Sequence, residues 1–214
     1  MRELFQTDLD ALREQLGDMC AQAAEAMRAA TTAVLTADGE LAARVVAADA
    51  ELDAARDRCD ETAQRLLALQ APVAGDLRLV LTAVLCADKI ERMGDLAAHV
   101  ADTARVRHPE CAVPAELTDA FTDLGTTTAA MADRLVELLR DPGKGGFAEL
   151  NETDQEVDAR HADVLAAITR SDWPHGIPSA TSLALLVRFY ERFADQAVSV
   201  AKRLDFVITG VMAA

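Results

Sequence analysis

Two acidic segments occur twice in this chain, in the same order, and this internal repeat limits the possible folds more than any other feature. Residues 49–54 return as residues 154–159, and residues 91–101 return as residues 191–201. An internal repeat of this length predicts two copies of one structural unit. Since carboxylates are repeated together with core residues, the repeat also suggests a function.

The composition of the chain favours helices. Hydrophobic residues make up 51% of the chain but aromatic residues only 4%, so its core should be aliphatic and rich in alanine. Such a composition suits closely packed helices and gives little support to strands. Apolar residues recur at steps of three and four, and no segment shows convincing period-two alternation. The sequence therefore predicts an all-α fold.

Glycine and proline breaks divide the chain into six helices. Pro109 and Pro114 lie too close together to fit inside a helix, so residues 108–114 should form a linker between two units, residues 1–108 and 109–214. Short turns join neighbouring helices as antiparallel pairs. We therefore expect a tandem repeat of two antiparallel three-helix bundles, side by side. The predicted helices cover approximately residues 4–36, 40–70, 76–106, 115–140, 147–170 and 179–209.

The net charge excludes several classes of partner. The chain carries a formal charge of -15, which argues against binding to nucleic acid or docking on anionic lipid.

No apolar run approaches the ~20 residues of a membrane span, and the N-terminus lacks the apolar region of a signal peptide. The four cysteines form no Cys-x-x-Cys pair, so we expect reduced core residues of a cytoplasmic protein. They are Cys20, Cys59, Cys86 and Cys111.

The repeated carboxylates should meet in each half of the chain. Glu91 and Asp95 are one helical turn apart and lie on the flank of an apolar stripe. Asp49 and Asp53 do the same on the preceding helix. Both pairs should lie ~30 Å from the turn that joins the two helices, and therefore level with each other. The second half repeats the arrangement with Asp154, Asp158, Glu191 and Asp195.

Four carboxylates at one level repel each other unless a cation or an arginine neutralises them. Oxygen ligands without cysteine suit Mg, Mn, Ca or Fe, and this favours a metal site in each repeat. The alternative is that the acids form ion pairs along or between helices with Arg56, Arg92, Arg160 or Arg192. A di-iron site of the ferritin type would need Glu-x-x-His, which is absent from the sequence.

Two histidines lie near the acidic segments. His99 follows Asp95 by one turn and would be an additional ligand, although Ser199 occupies the equivalent position in the second half. His161 corresponds to Arg56, and we expect a residue of the helix surface there.

The sequence contains no candidate nucleophile with a base at motif spacing and no glycine-rich loop for phosphate. It favours a protein that is not an enzyme. Three functions remain open at this point. They are a regulatory adaptor with metal-supported acidic sites, a metal-free helical interaction scaffold, and a carboxylate-bridged metalloenzyme.

The repeated motifs resemble those of the PhoU family of phosphate-transport regulators, over nearly the whole chain. Residues 72–78 are similar to the Pro-Val-Ala-x-Asp-Leu-Arg turn of that family, and residues 91–95 to its Glu-Arg-Ile-Gly-Asp motif. The second half departs from the pattern, because residues 176–179 stand where the turn motif would recur. The resemblance implies the same fold of two three-helix bundles.

The resemblance also implies a function. Members of the family are cytoplasmic, often homodimeric and not enzymes, and they negatively regulate phosphate uptake and the phosphate-starvation response. They are thought to couple the ATPase of a phosphate ABC transporter to a phosphate-sensor histidine kinase. Some carry metal ions on the repeated acidic motifs, so the resemblance implies Fe, Mn or Mg. The metal ligands implied are Asp49, Asp53, Glu91, Asp95, Asp154, Asp158, Glu191 and Asp195.

Overall fold

The computed structural model describes residues 2–141, 143 and 145–211, with side chains from residue 6 onward. This part of the chain contains six α-helices and no strand, which confirms the all-α prediction. A short 3-10 turn, Ala115–Leu117, precedes the fourth helix. The helices are α1 Arg2–Thr36, α2 Gly39–Gln70, α3 Ala74–Arg107, α4 Thr118–Arg140, α5 Gly146–Ile168 and α6 Gly176–Thr209.

The observed bounds differ from the predicted ones by a few residues. Helix α6 begins at Gly176, before the predicted start, because the first turn of a helix tolerates Pro178 without losing a hydrogen bond. Asp38 starts α2, and its carboxylate accepts a hydrogen bond from the backbone N–H of Leu41 at 2.9 Å. Two residues of the predicted turn at 141–146, Pro142 and Lys144, lie outside the described residues.

Each half forms a three-helix bundle, as predicted, and the two bundles share a core. Helix α1 contacts α2 and α3, and α6 contacts α4 and α5. Across the halves, α1 packs on α4 and α3 packs on α6, so the buried residues form one continuous cluster. The same positions are buried in the first helix of each repeat. In α1 they are residues 16, 19, 20, 23, 24, 27 and 30, and in α4 the equivalent residues are 121, 124, 125, 128, 129, 132 and 135.

The contact between the halves is closest where α1 meets α4. Gly125 faces Thr31 there, and Thr31 is only 7% exposed. The Thr31 hydroxyl lies 2.8 Å from the carbonyl oxygen of Met27 and 3.1 Å from the hydroxyl of Tyr190 on α6. Thr31 donates to Met27, so Tyr190 donates to Thr31. This hydrogen bond joins the two halves in the middle of the core, where burial raises the pKa of Tyr190.

Replacement of Gly125 by alanine should destabilise this contact. A Cβ at position 125 would lie 2.4 Å from both Oγ1 and Cγ2 of Thr31, a β-branched side chain with little freedom to move. We expect Gly125→Ala to lower the free energy of unfolding by ~2 kcal/mol. Gly17→Ala is the matched control, since a Cβ there meets nothing within 4 Å. It should stabilise the protein by up to ~1 kcal/mol. Urea unfolding measures both, and equal effects would contradict this account.

Three of the four cysteines are buried, as predicted. Burial raises the pKa of Cys59 to about 11 and that of Cys86 to about 12, and it raises the pKa of Cys20 as well. These groups therefore stay as unreactive thiols at neutral pH. The prediction is wrong for Cys111, which is exposed. Cys111 lies in the connection between α3 and α4, and such connections run over the protein surface.

Candidate metal-binding site

The hairpin of α2 and α3 brings the acidic pairs of the first repeat together. Gly94 allows α2 to approach closely, since a Cβ at this position would lie 3.2 Å from Oδ1 of Asp49. Burial raises the pKa of Asp49, and the charges of Asp95 and Asp53 raise it further. The pKa of Glu91 is also raised, first by burial and then by the same two aspartates. The four carboxylates are therefore close enough to repel each other, which is the level arrangement expected from the helix lengths.

The second repeat has the same arrangement with a stronger effect. Burial, together with the charges of Asp158, Asp195 and Glu191, raises the pKa of Asp154 to about 6. The pKa values of Glu191 and Asp195 are raised as well, mainly by burial. Oδ1 of Asp154 and Oε2 of Glu191 have no hydrogen-bond donor among the described protein atoms. Two oxygens thus stay unpaired where water has little access, and this is costly.

The two acidic groups are not equally open to solvent. In the first repeat Asp53 is exposed and the other three carboxylates are half-buried. In the second repeat Asp158 and Asp195 are exposed, but Glu191 is only 8% exposed. The acidic group of the second repeat therefore lies partly below the surface, at Glu191.

Few arginines neutralise the acidic groups. Among the arginines considered from the sequence, only Arg92 pairs with a motif carboxylate, at 2.6 Å from Asp95. Arg56 pairs with Asp57 and Asp60, and Arg160 reaches Asp123 on α4.

In the second repeat the partner is Arg188, which forms an ion pair with Glu191 and was missed from the sequence. The sequence does contain a signal for this ion pair, because Arg188 lies one helical turn before Glu191. The equivalent residue of the first repeat is Asp88. Within the described residues, the other six motif carboxylates have no ion pair.

The two histidines lie near the acidic groups. His99 stacks on Phe189 of α6, with ring centroids 5.2 Å apart, and its charge lowers the pKa of Asp49. His161 is half-buried, and its charge lowers the pKa of Glu191. Neither histidine forms a hydrogen bond with a motif carboxylate in the described part of the chain.

Comparison with known proteins identifies the family. The model of the PhoU domain matches residues 16–104 and 121–204, which contain the two acidic groups. A Mycobacterium tuberculosis protein named phosphate-specific transport system accessory protein PhoU homolog 2 is 42% identical over 98% of this chain and 99% of its own. PhoU homolog 1 of Mycobacterium leprae is also 42% identical, over 98% of this chain and 95% of its own.

The chain belongs to the PhoU family.

A crystal structure shares this PhoU fold. The phosphate transport system regulatory protein PhoU from Streptococcus pneumoniae superposes with a TM-score of 0.88, over 98% of this chain and 99% of its own. The sequence identity is 23%, so the likeness extends to the fold alone. None of the PhoU helices described here is long and apolar enough to cross a membrane.

The donor set of each PhoU repeat suits a hard cation. All eight motif side chains offer oxygen, the ligand atom that Mg²⁺, Mn²⁺ and Ca²⁺ prefer. The unpaired oxygens of Asp154 and Glu191 and the raised pKa values indicate carboxylates that the protein itself compensates only in part. In the described residues, no three histidine, cysteine or acidic side chains already converge as ligands of one ion. Binding would therefore require new side-chain rotamers on the same helices.

The raised pKa of Asp154 makes the metal-free protein more stable at mildly acidic pH. The folded protein binds this proton more tightly than the unfolded chain, whose aspartates titrate near pH ~4. Stability should therefore fall as the pH rises from ~4 through about 6. In chelator, we expect the free energy of unfolding to be higher at pH 5 than at pH 7 by ~1 kcal/mol, after allowance for solvent screening.

Asp154→Asn should remove most of this pH dependence, because asparagine does not titrate. Glu156→Gln is the control, since Glu156 is an exposed acid of the same segment. Urea unfolding at the two pH values measures the effect. A pH dependence that is unchanged in Asp154→Asn would contradict the assignment.

Proposed function

We propose that this chain is an accessory and regulatory protein of phosphate transport. In this role it represses phosphate uptake and the phosphate-starvation response when phosphate is abundant. The observation that carries the proposal is the 42% identity over 98% of the chain to a protein named as a phosphate-specific transport system accessory protein. The sequence identity covers both repeats. It therefore supports a common role better than identity over a single domain would.

The proposed mode of action is that of an adaptor. The chain would couple the ATPase of a phosphate ABC transporter to a phosphate-sensor histidine kinase, as a cytoplasmic homodimer without catalytic activity. The three buried thiols argue against catalysis by a cysteine nucleophile, since their raised pKa values make them poor nucleophiles. The charge of -15 suits basic protein surfaces as partners.

The two acidic groups are proposed to hold Fe, Mn or Mg. In each repeat the ligands come from two helices, so a bound cation would link α2 to α3 and α5 to α6. When bound, the metal supplies positive charge that neutralises the four carboxylates of a repeat. The unpaired oxygens of Asp154 and Glu191 support this role. Phosphate itself is a poor ligand for the bare groups, because carboxylates repel it.

A metal-free scaffold is the second candidate. The ion pairs Arg92–Asp95 and Arg188–Glu191 favour it, because each neutralises one motif carboxylate without a metal. On that alternative, chelator and added metal would leave the stability of the protein unchanged.

A pull-down from phosphate-replete cells tests the proposed function. The tagged full chain should recover the transporter ATPase or the sensor kinase, identified by mass spectrometry, and an untagged culture is the control. Recovery of neither component, in replete or starved cells, would contradict the role in phosphate transport.

A further inference from the structure

An apolar groove runs between α1 and α2, beside the first acidic group. Its volume is about 300 Å³. The walls come from small and aliphatic side chains of both helices, and Asp49 and Gly94 lie at one end. Several of these side chains are only partly buried, so the groove is open to solvent. The apolar lining consists of Ala26, Ala29, Leu41, Val45, Ala48 and Leu52.

The equivalent concavity of the second repeat carries four charged side chains beside the apolar side chains of Ala130, Met131 and Leu150. It lies between α4 and α5, and an ion pair crosses it, with Nε and Nη2 of Arg134 donating to the Glu149 carboxylate at 3.0 Å. Asp133 and Glu137 add two more charges to its lining. The repeat register assigns Arg134 to Ala29 and Glu149 to Arg44. The ion pair between the helices of the second repeat therefore has no counterpart in the first repeat, where Ala29 stands at the position of the arginine.

The rim of the groove is acidic. Glu25, Asp49 and Glu51 line it, against the single guanidinium of Arg44. Glu25 has only a weak, exposed partner, since Arg28 lies 3.6 Å away. Arg44 has no ion pair in the described part of the chain. An apolar floor with an acidic rim complements an apolar ridge that is flanked by basic side chains.

We propose that this groove binds a helix of a partner protein that presents aliphatic residues flanked by lysine or arginine. The aliphatic side chains would enter between Ala29 and Val45, and the basic side chains would reach Glu25 and Glu51. In the second repeat the Arg134–Glu149 ion pair crosses the equivalent concavity, so one partner helix binds to each chain, at the first repeat. The inference rests on the proposed function only in that both act through protein contacts.

Transfer of the ion pair of the second repeat into the first tests the proposal. Ala29→Arg with Arg44→Glu should place an ion pair across the groove and leave the fold intact. The double substitution also makes the formal charge one unit more negative, so a weaker binding of a cationic peptide would not come from charge. Arg58→Glu is the control, because Arg58 is exposed on α2 outside the groove lining.

The probe is a synthetic helical peptide of about five turns, with leucines at positions i, i+3, i+4 and i+7 and lysines beside them. Two further peptides carry glutamate for lysine or alanine for leucine. Fluorescence anisotropy in chelator, without phosphate, measures binding, so the result is independent of metal and transport. The wild type and Arg58→Glu should bind the leucine-lysine peptide alone, and the double variant should bind it at least about tenfold more weakly.

Three outcomes would overturn the proposal. They are equal binding by the double variant, equal binding of all lysine peptides, and no binding by the wild type. Sedimentation of the wild type and the double variant adds a fourth. A wild-type dimer that dissociates in the double variant would mean that a second copy of the chain occupies the groove. If the double variant fails to fold, Ala48→Gln at an exposed lining position replaces it, with the same expected loss and no change in charge.

Discussion

Addition of Mn²⁺ or Fe²⁺ to chelator-treated protein is expected to raise its melting temperature by ~5–10 °C. A ligand that binds only the folded state stabilises it by ~2.7 kcal/mol at a concentration of 100 Kd. For a chain of this size each kcal/mol corresponds to a shift of ~2–4 °C. The physical reason is that the cation removes repulsion among four carboxylates, of which only one in each repeat has an ion pair among the described residues.

The double variants Asp49→Asn/Asp53→Asn and Asp154→Asn/Asp158→Asn separate the two repeats. Each should lose part of the metal-induced shift. Without metal, the second variant should melt higher than the wild type, because it removes the charge that burial disfavours most. Glu156→Gln is the matched control and should behave as the wild type. A metal shift of equal size in all variants would place the cation elsewhere.

Repression of phosphate uptake is expected to depend on the same carboxylates. In a host that lacks its own copy, the wild-type chain should restore low uptake of labelled phosphate in replete medium. The variant with all four aspartates replaced, Asp49, Asp53, Asp154 and Asp158, should leave uptake as high as in the deletion strain. The reason is that, in the proposed adaptor, the bound metal holds together the helix pairs that contact the partner proteins. Loss of the metal ligands should therefore weaken those contacts.

The control for this experiment is again Glu156→Gln, which should restore repression. Immunoblots must show equal amounts of each protein, since a destabilised variant would be degraded. Full repression by the four-aspartate variant would remove the metal from the regulatory mechanism and would favour the metal-free scaffold.

Most of the fold was predictable because its signals are local. The apolar stripes and the glycine and proline breaks gave six helices within a few residues, and helix lengths alone brought Asp49 level with Asp95. The shared core was not predictable in detail. The close approach of Gly125 to Thr31 depends on which faces of α1 and α4 meet, and a single sequence does not contain that information.

The site was less predictable than the fold. The positions of the carboxylates followed from the repeat, but the burial of Glu191 did not, since its counterpart Glu91 is only half-buried. Arg188 was missed because the first repeat has Asp88 at the equivalent position, so the repeat itself predicts no arginine there. The difference between Ala29 and its counterpart Arg134 is visible in the sequence. Only the structure shows that each residue lines a concavity between two helices.

The metal content of the purified protein tests the central claim most directly. The full chain should be purified without chelator and analysed by inductively coupled plasma mass spectrometry, next to the four-aspartate variant and Glu156→Gln. We expect Fe, Mn or Mg to accompany the wild type and Glu156→Gln, and to be lost from the four-aspartate variant. A wild-type protein that neither carries nor takes up any of these metals would contradict the account.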